Sequence, residues 1–272
     1  MKTKHFSLSL SLSLSLALLG TLLCGSAHAD TLIYVAGRDN NFDNVFGTIS
    51  LQTRVYSQIA NTTQRLSALA TNNGQLYATS FSPTSTLYTL SDTGTLAPVG
   101  GTGTQISGLA FNASGTLYAS DWTNDALGTL NPSTGAYTAS GSTGTILGNQ
   151  HGQLAFSSGV LYAAISDSSE LLASLDLTNG AASQIGIDSL YANMNLFAAQ
   201  NALYGIGANK NLYSINTTDA TLTLLGAITG SDLPISFAAA VAGPTSDVPE
   251  PDTLGLFAIG GLALRWRGKR SR

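Results

Sequence analysis

Residues 106–140 read ISGLAFNASGTLYASDWTNDALGTLNPSTGAYTAS, and the reading of this stretch decides the fold. Apolar residues alternate with small or polar ones in short runs, the period-2 pattern of strands with one buried face. Between the runs stand Asn112-Ala113-Ser114-Gly115 and Asn131-Pro132-Ser133-Thr134-Gly135. Gly and Asn tolerate positive φ and Pro presets its own φ, so both segments turn the chain sharply. The stretch predicts four strands: A over 106–111, B over 116–120, C over 127–130 and D over 136–140, with a loop over 121–125.

The B strand carries a marker that recurs. Ile33-Tyr34, Leu76-Tyr77, Leu117-Tyr118, Leu161-Tyr162 and Leu203-Tyr204 place tyrosines 43, 41, 44 and 42 residues apart. A period near 40–45 with period-2 flanks belongs to four-stranded propeller blades and not to helical repeats. The two ends of the repeat are incomplete in complementary ways. The first unit begins at a B strand, over 32–35, and the segment over 235–241 reads as an A strand with nothing after it. Joined, they make one blade. The expectation is an all-β, five-bladed β-propeller over 31–243, its ring closed by N-terminal B, C and D strands and a C-terminal A strand. A β-sandwich shares the same strand lengths and turn signals and is the alternative.

Composition agrees with strands. Charged residues make up only 10% of the chain, with Gly, Ser, Thr and Asn in their place, whereas helical surfaces carry Glu, Lys and Arg. Between residues 30 and 247 there are 13 acidic side chains and four basic ones, Arg38, Arg54, Arg65 and Lys210. So acidic a surface cannot displace phosphate counterions, which excludes nucleic acid as a partner.

Both ends read as addresses. Lys2 and Lys4 precede an apolar run over 6–23, and Ala27-His28-Ala29 precedes Asp30. This is the basic, apolar and small-residue order of a secretory signal peptide over 1–29, with cleavage expected between Ala29 and Asp30. Cleavage there removes Cys24, the only cysteine, and with it cysteine catalysis, cysteine-ligated metals and disulfides.

At the other end, over 244–272, a linker leads to Val248-Pro249-Glu250-Pro251, an apolar segment over 253–264, and a basic tail of Arg265, Arg267, Lys269, Arg270 and Arg272. The prolines stop a helix from propagating backwards, and the basic residues favour the cytoplasmic side. The apolar segment is shorter than the roughly 20 residues a bilayer-spanning helix needs, which points to transient inner-membrane association and not a lasting anchor. This order of elements resembles the PEP-CTERM sorting signal of Gram-negative bacteria. The resemblance implies recognition by a membrane exosortase, cleavage near the motif, delivery to the cell surface or outside the cell, and a link to exopolysaccharide and biofilm.

The B–C and D–A loops leave a blade at the same end. That rim gathers Arg38, Asp39, Asp43, Arg65, Asp121, Trp122, Asp125, His151, Asp167 and Glu170 as the candidate ligand site. Acidic loops bind calcium when enough oxygen ligands converge, but no single loop supplies them, and no cofactor is expected beyond this possible Ca²⁺. After removal of the leader, His151 is the only histidine, hence the only imidazole base for a propeller hydrolase or lyase. The scarcity of acid–base pairs favours a noncatalytic protein, with a carbohydrate or small-ligand binder as the alternative.

Overall fold

The alternation of apolar and polar residues forms strands throughout. The computed structural model describes residues 30–144, 153–166, 170–190, 194–234 and 236–242, and among these there is no helix. The first blade opens with β1 (Leu32–Arg38), β2 (Asn44–Ser50) and β3 (Tyr56–Asn61). The second is β4 (Leu66–Asn72), β5 (Gln75–Ser80), β6 (Thr86–Leu90) and β7 (Leu96–Gly101). The third is β8 (Ile106–Phe111), β9 (Leu117–Asp121), β10 (Ala126–Leu130) and β11 (Tyr137–Ser142). The fourth is β12 (Leu154–Ser157), β13 (Val160–Ser166), β14 (Glu170–Leu175) and β15 (Ala182–Leu190). The fifth is β16 (Asn195–Ala199), β17 (Ala202–Ile206), β18 (Asn211–Ile215) and β19 (Leu222–Ala227), and β20 (Ser236–Ala242) completes the first.

Each blade is one antiparallel sheet of four strands, and the first has the order β20-β1-β2-β3. The chain therefore folds as a five-bladed propeller with its ring closed as the repeat required. The β20–β1 pairing runs from Ile33 opposite Ala242 to Arg38 opposite Ser236. It satisfies the edge of β1, which would otherwise be open to another chain. A second fastening joins the fifth blade to the first: Tyr56 N donates to Thr229 O at 2.7 Å, and Thr229 N donates to Arg54 O at 3.0 Å.

The apolar faces pack between blades. One cluster joins the first and second blades through Phe46, Leu66, Leu69 and Leu90. Another joins the second and third through Leu87, Ile106, Leu109 and Leu130. Equivalent clusters follow between the third and fourth blades and between the fourth and fifth. The last joins the fifth to the first through Ile33, Ile49, Phe197 and Leu212. The repeated tyrosines belong to these layers: Tyr77 packs on Phe111 of the next blade at 5.2 Å between ring centroids, and Tyr118 on Phe156 at 5.5 Å.

The A strands β4, β8, β12, β16 and β20 are the innermost and neighbour one another around the axis. They line a cavity of about 160 Å³ that reaches residues of all five, and among its described lining residues Thr71 is the only polar side chain. Nearer the start of the A strands the axis is polar. Gln153 Nε2 donates to the carbonyl oxygens of Ser67 at 3.2 Å and Ser107 at 3.3 Å, so one buried amide ties three blades together.

Candidate functional site

Counting from the repeated tyrosine aligns the rim. Four residues after Tyr34, Tyr77 and Tyr118 stand Arg38, Phe81 and Trp122, at equivalent places in three successive blades. Phe81 and Trp122 are held by backbone bonds: Phe81 N donates to Arg65 O at 2.7 Å and Trp122 N to Gln105 O at 2.9 Å. These bonds bring the residue before each A strand beside the aromatic that ends the adjoining B strand.

Three of these side chains form a continuous stack. The Arg65 guanidinium carbon lies 3.9 Å from the centroid of the Phe81 ring. Phe81 in turn meets Trp122 of the next blade at 5.7 Å, with the ring planes tilted by 43°. Arg38 stands at the neighbouring position of the first blade, at the end of β1 and opposite Asn44. The Arg65 guanidinium is held below the ordinary arginine value, first by burial and then by the charge of Arg38. Neither guanidinium forms an ion pair among the described residues. Arg38 Nε and Asn44 Oδ1 are buried without a hydrogen-bond partner.

The rim acids are differently employed. Asp39 Oδ1 accepts the N–H groups of Asn41 at 2.9 Å and Asp43 at 2.8 Å, folding its own loop. Asp121 is 4% exposed; its Oδ1 accepts from Thr104 Oγ1 at 2.6 Å and Thr123 N at 2.9 Å, and its Oδ2 from Asn124 Nδ2 at 2.7 Å. These are Asx-type bonds that hold a loop's shape. The Asp125 carboxyl is raised by burial and then by the charge of Asp121. Among the described residues no three metal-ligating side chains of His, Cys, Asp or Glu converge.

The structure thus brings Arg65 and Trp122 together through Phe81, with Arg38 alongside, and leaves Asp43 exposed on its loop. Glu170 opens β14, opposite Ser166 and Leu190. His151, Asp167, Ala29, the motif over 248–251 and the basic tail lie outside the described residues. Sequence reasoning missed Phe81, Asn44 and Gln153. Phe81 had a usable signal, its place four residues after Tyr77, whereas Asn44 and Gln153 had none.

No helix among the described residues is long and apolar enough to cross a membrane. No curated protein matches the chain as a relative. Residues 247–270 match the PEP-CTERM protein-sorting motif. The chain is therefore similar, over that segment, to proteins that are exported and recognised by an exosortase, and its body is a five-bladed propeller.

Proposed function

We propose that this chain is a noncatalytic propeller which an exosortase separates from its sorting tail and delivers to the cell surface or the extracellular matrix, in service of exopolysaccharide or biofilm. The observation that carries the reading is the order of strand and motif: the last strand among the described residues closes at Ala242, and the sorting motif begins at residue 247. Cleavage near Pro249 then removes none of the described strands of the ring. The use of Asp39 and Asp121 to hold their own loops favours a rim without acid–base chemistry. Intact-mass measurement on the protein isolated from its native cells tests this. A C-terminus near Pro249 supports it, and a C-terminus at Arg272 overturns it.

A second reading is favoured by one observation, the stack of Arg65, Phe81 and Trp122 on the rim. Aromatic faces beside hydrogen-bond donors suit a carbohydrate. In this reading the delivered propeller binds saccharide on that rim, and a glycan screen with Trp122→Ala as the disabled control distinguishes it from a purely structural role.

A further inference from the structure

We infer that the loop over residues 39–43 is a contact site for a neutral polysaccharide. One sugar ring stacks on Phe42, and the side chains of Asn40, Asn41 and Asp43 meet its hydroxyls. The ligand class is that of the second reading above, but none of its residues is shared, so the two stand or fall separately.

The same five-residue turn is built over 39–43, 91–95, 112–116 and 207–211. In each, the N–H of the first residue donates to the carbonyl oxygen of the fifth, and the N–H of the fourth to that of the first, at 2.9–3.1 Å. The fourth residue lies in the left-handed region every time, with φ 64° at Phe42, 86° at Gly94, 83° at Gly115 and 61° at Lys210. Glycine adopts this conformation freely, whereas a bulky side chain is strained in it. Phe42 is also 66% exposed, more than any other large hydrophobic residue among those described. One residue thus combines a strained backbone with an apolar ring in water, and the ring does not hold the turn. Asp39 Oδ1 does, accepting the N–H groups of Asn41 at 2.9 Å and Asp43 at 2.8 Å, as Asn112 Oδ1 holds Ser114 and Thr116 at 3.1 and 2.8 Å. A ring that the turn fixes in place but does not need is suited to meet something outside.

The surroundings of Phe42 select the partner. Asn40, Asn41 and Asp43 are all exposed, and among the described residues their side chains form no hydrogen bond. The apolar surface is therefore one ring wide and edged by free donors and acceptors. A protein partner's apolar groove calls for a broader patch. The C–H face of a pyranose matches a single aromatic ring, and its hydroxyls both donate and accept, which amides and a carboxylate complement. Charge narrows the class further. Asp39 and Asp43 stand in the loop itself, and the body between residues 30 and 247 sets 13 acids against four cations, so a polyanion is repelled and a neutral polymer is not.

The test is affinity electrophoresis of the exported protein in gels holding dextran, laminarin or galactomannan, with alginate as the acidic comparison. At least one neutral polymer is expected to retard the protein, and alginate is not. Phe42→Gly should weaken the retardation about tenfold or more, the scale of a lost aromatic face. It should at the same time raise the thermal unfolding midpoint by about 1–3 °C, because glycine relieves the turn. Phe42→Trp should keep the binding. Lys210→Gly relieves the same turn in the fifth blade and should raise the midpoint without changing retardation. Unchanged retardation of Phe42→Gly overturns the inference, and loss in Trp122→Ala would then assign the saccharide to the other reading. A lower midpoint in Phe42→Gly assigns the ring to the fold and overturns the inference as well. So does retardation by alginate as strong as by the neutral polymers. Retardation by none of the four overturns both readings.

Discussion

Gly100, on β7, faces the carbonyl oxygen of Thr134 in the C–D turn of the next blade, and the gap between them has no room for a methyl group. The relationship repeats around the ring. Gly141 faces Asn179, Gly186 faces Asp219, Gly94 lies against Ala60, and Gly226 of the fifth blade lies against the Arg54 side chain of the first. Each outer strand is thus docked on the turn of its successor. Gly100→Ala is expected to lower stability by about 1–3 kcal/mol, as overpacking does. Its neighbour Gly101 has open space where a Cβ would go, so Gly101→Ala should stay within about 0.5 kcal/mol of the parent. Urea unfolding of the two variants side by side measures the docking, and equal midpoints would count against it.

The axial amide makes a second prediction. Gln153 is 6% exposed and donates to two carbonyl oxygens from different blades. Gln153→Ala leaves both acceptors short of a donor and should destabilise by about 1–3 kcal/mol. Gln153→Glu sets an ionised carboxylate against those oxygens, so the fold favours its protonated form and raises its pKa. The folded state then holds a proton that the unfolded chain has released. Stability of the Glu variant is therefore greatest below the ordinary carboxyl range and falls as pH rises from about 4 toward neutrality. Thermal unfolding against pH, with the Ala variant as a flat reference, reads this directly.

Much of the ring is legible in the sequence, and the reasons are local. Tyr34, Tyr77, Tyr118, Tyr162 and Tyr204 all occupy B strands, because a half-buried strand next to a sharp turn leaves a strong period-2 signature. The orphan A strand over 235–241 appears as β20, Ser236–Ala242, since an unpaired strand needs a partner wherever the chain supplies one. What stayed hidden lies between the strands of a single blade. Gly47 and Gly128 make room for Tyr56 and Tyr137 reaching over from the D strands, whereas the second and fifth blades put Tyr88 and Tyr213 on the C strand itself. The same space is filled from either strand, so no fixed spacing reveals it. Phe81 escaped for a related reason: its partner Arg65 stands on the other side of two strands, and only the folded blade joins them.

Those two D-strand tyrosines carry a prediction at alkaline pH. Burial raises both phenols above the ordinary tyrosine value, with the charges of Asp232 and Asp39 adding to it at Tyr56 and that of Asp121 at Tyr137. The fold keeps each phenol protonated where the unfolded chain has lost the proton. Their contribution to stability is intact below about pH 10 and is lost as pH rises beyond it. Tyr56 Oη is buried without a partner, so Tyr56→Phe should resist alkaline unfolding with no loss at neutral pH. Tyr137 Oη donates to Ala126 O at 3.4 Å, and Tyr137→Phe should gain the same resistance for at most about 0.5–1 kcal/mol at neutrality. Circular dichroism against pH decides; unchanged alkaline midpoints in both variants would count against it.

Buried threonines fasten the passage from one blade to the next. Thr102 Oγ1 donates to Ser85 O at 2.9 Å, and Thr143 Oγ1 donates to Asp125 O at 2.6 Å, each just past the D strand of its blade. Thr102 is 5% and Thr143 3% exposed, so a missing donor is not replaced by water. Valine keeps the shape and drops the hydroxyl. Thr102→Val and Thr143→Val should each lose about 1 kcal/mol, and because they serve different blades the double variant should lose close to the sum. A double variant no weaker than either single one would show that the two crossings are not independent fastenings.

The strongest prediction concerns where the chain can be shortened. β20 lines the axis between β16 and β4 and covers one edge of β1 over residues 33–38. A stop after Asp232 removes that strand. The first blade is left with three strands, its neighbours lose the apolar wall formed with Val241 and Ala242, and the bared edge of β1 becomes a template for a second chain. Such a protein should lose cooperative unfolding and aggregate. A stop after Asp247 leaves every described strand in place and should unfold within about 0.5 kcal/mol of the full chain. Unfolding curves and light scattering of the two truncations tell a detachable tail from an integral one. Intact behaviour after the stop at 232 would mean that β20 does not close the ring; instability after the stop at 247 would mean that the sorting segment also supports the fold, and processing near Pro249 could then not release a stable propeller.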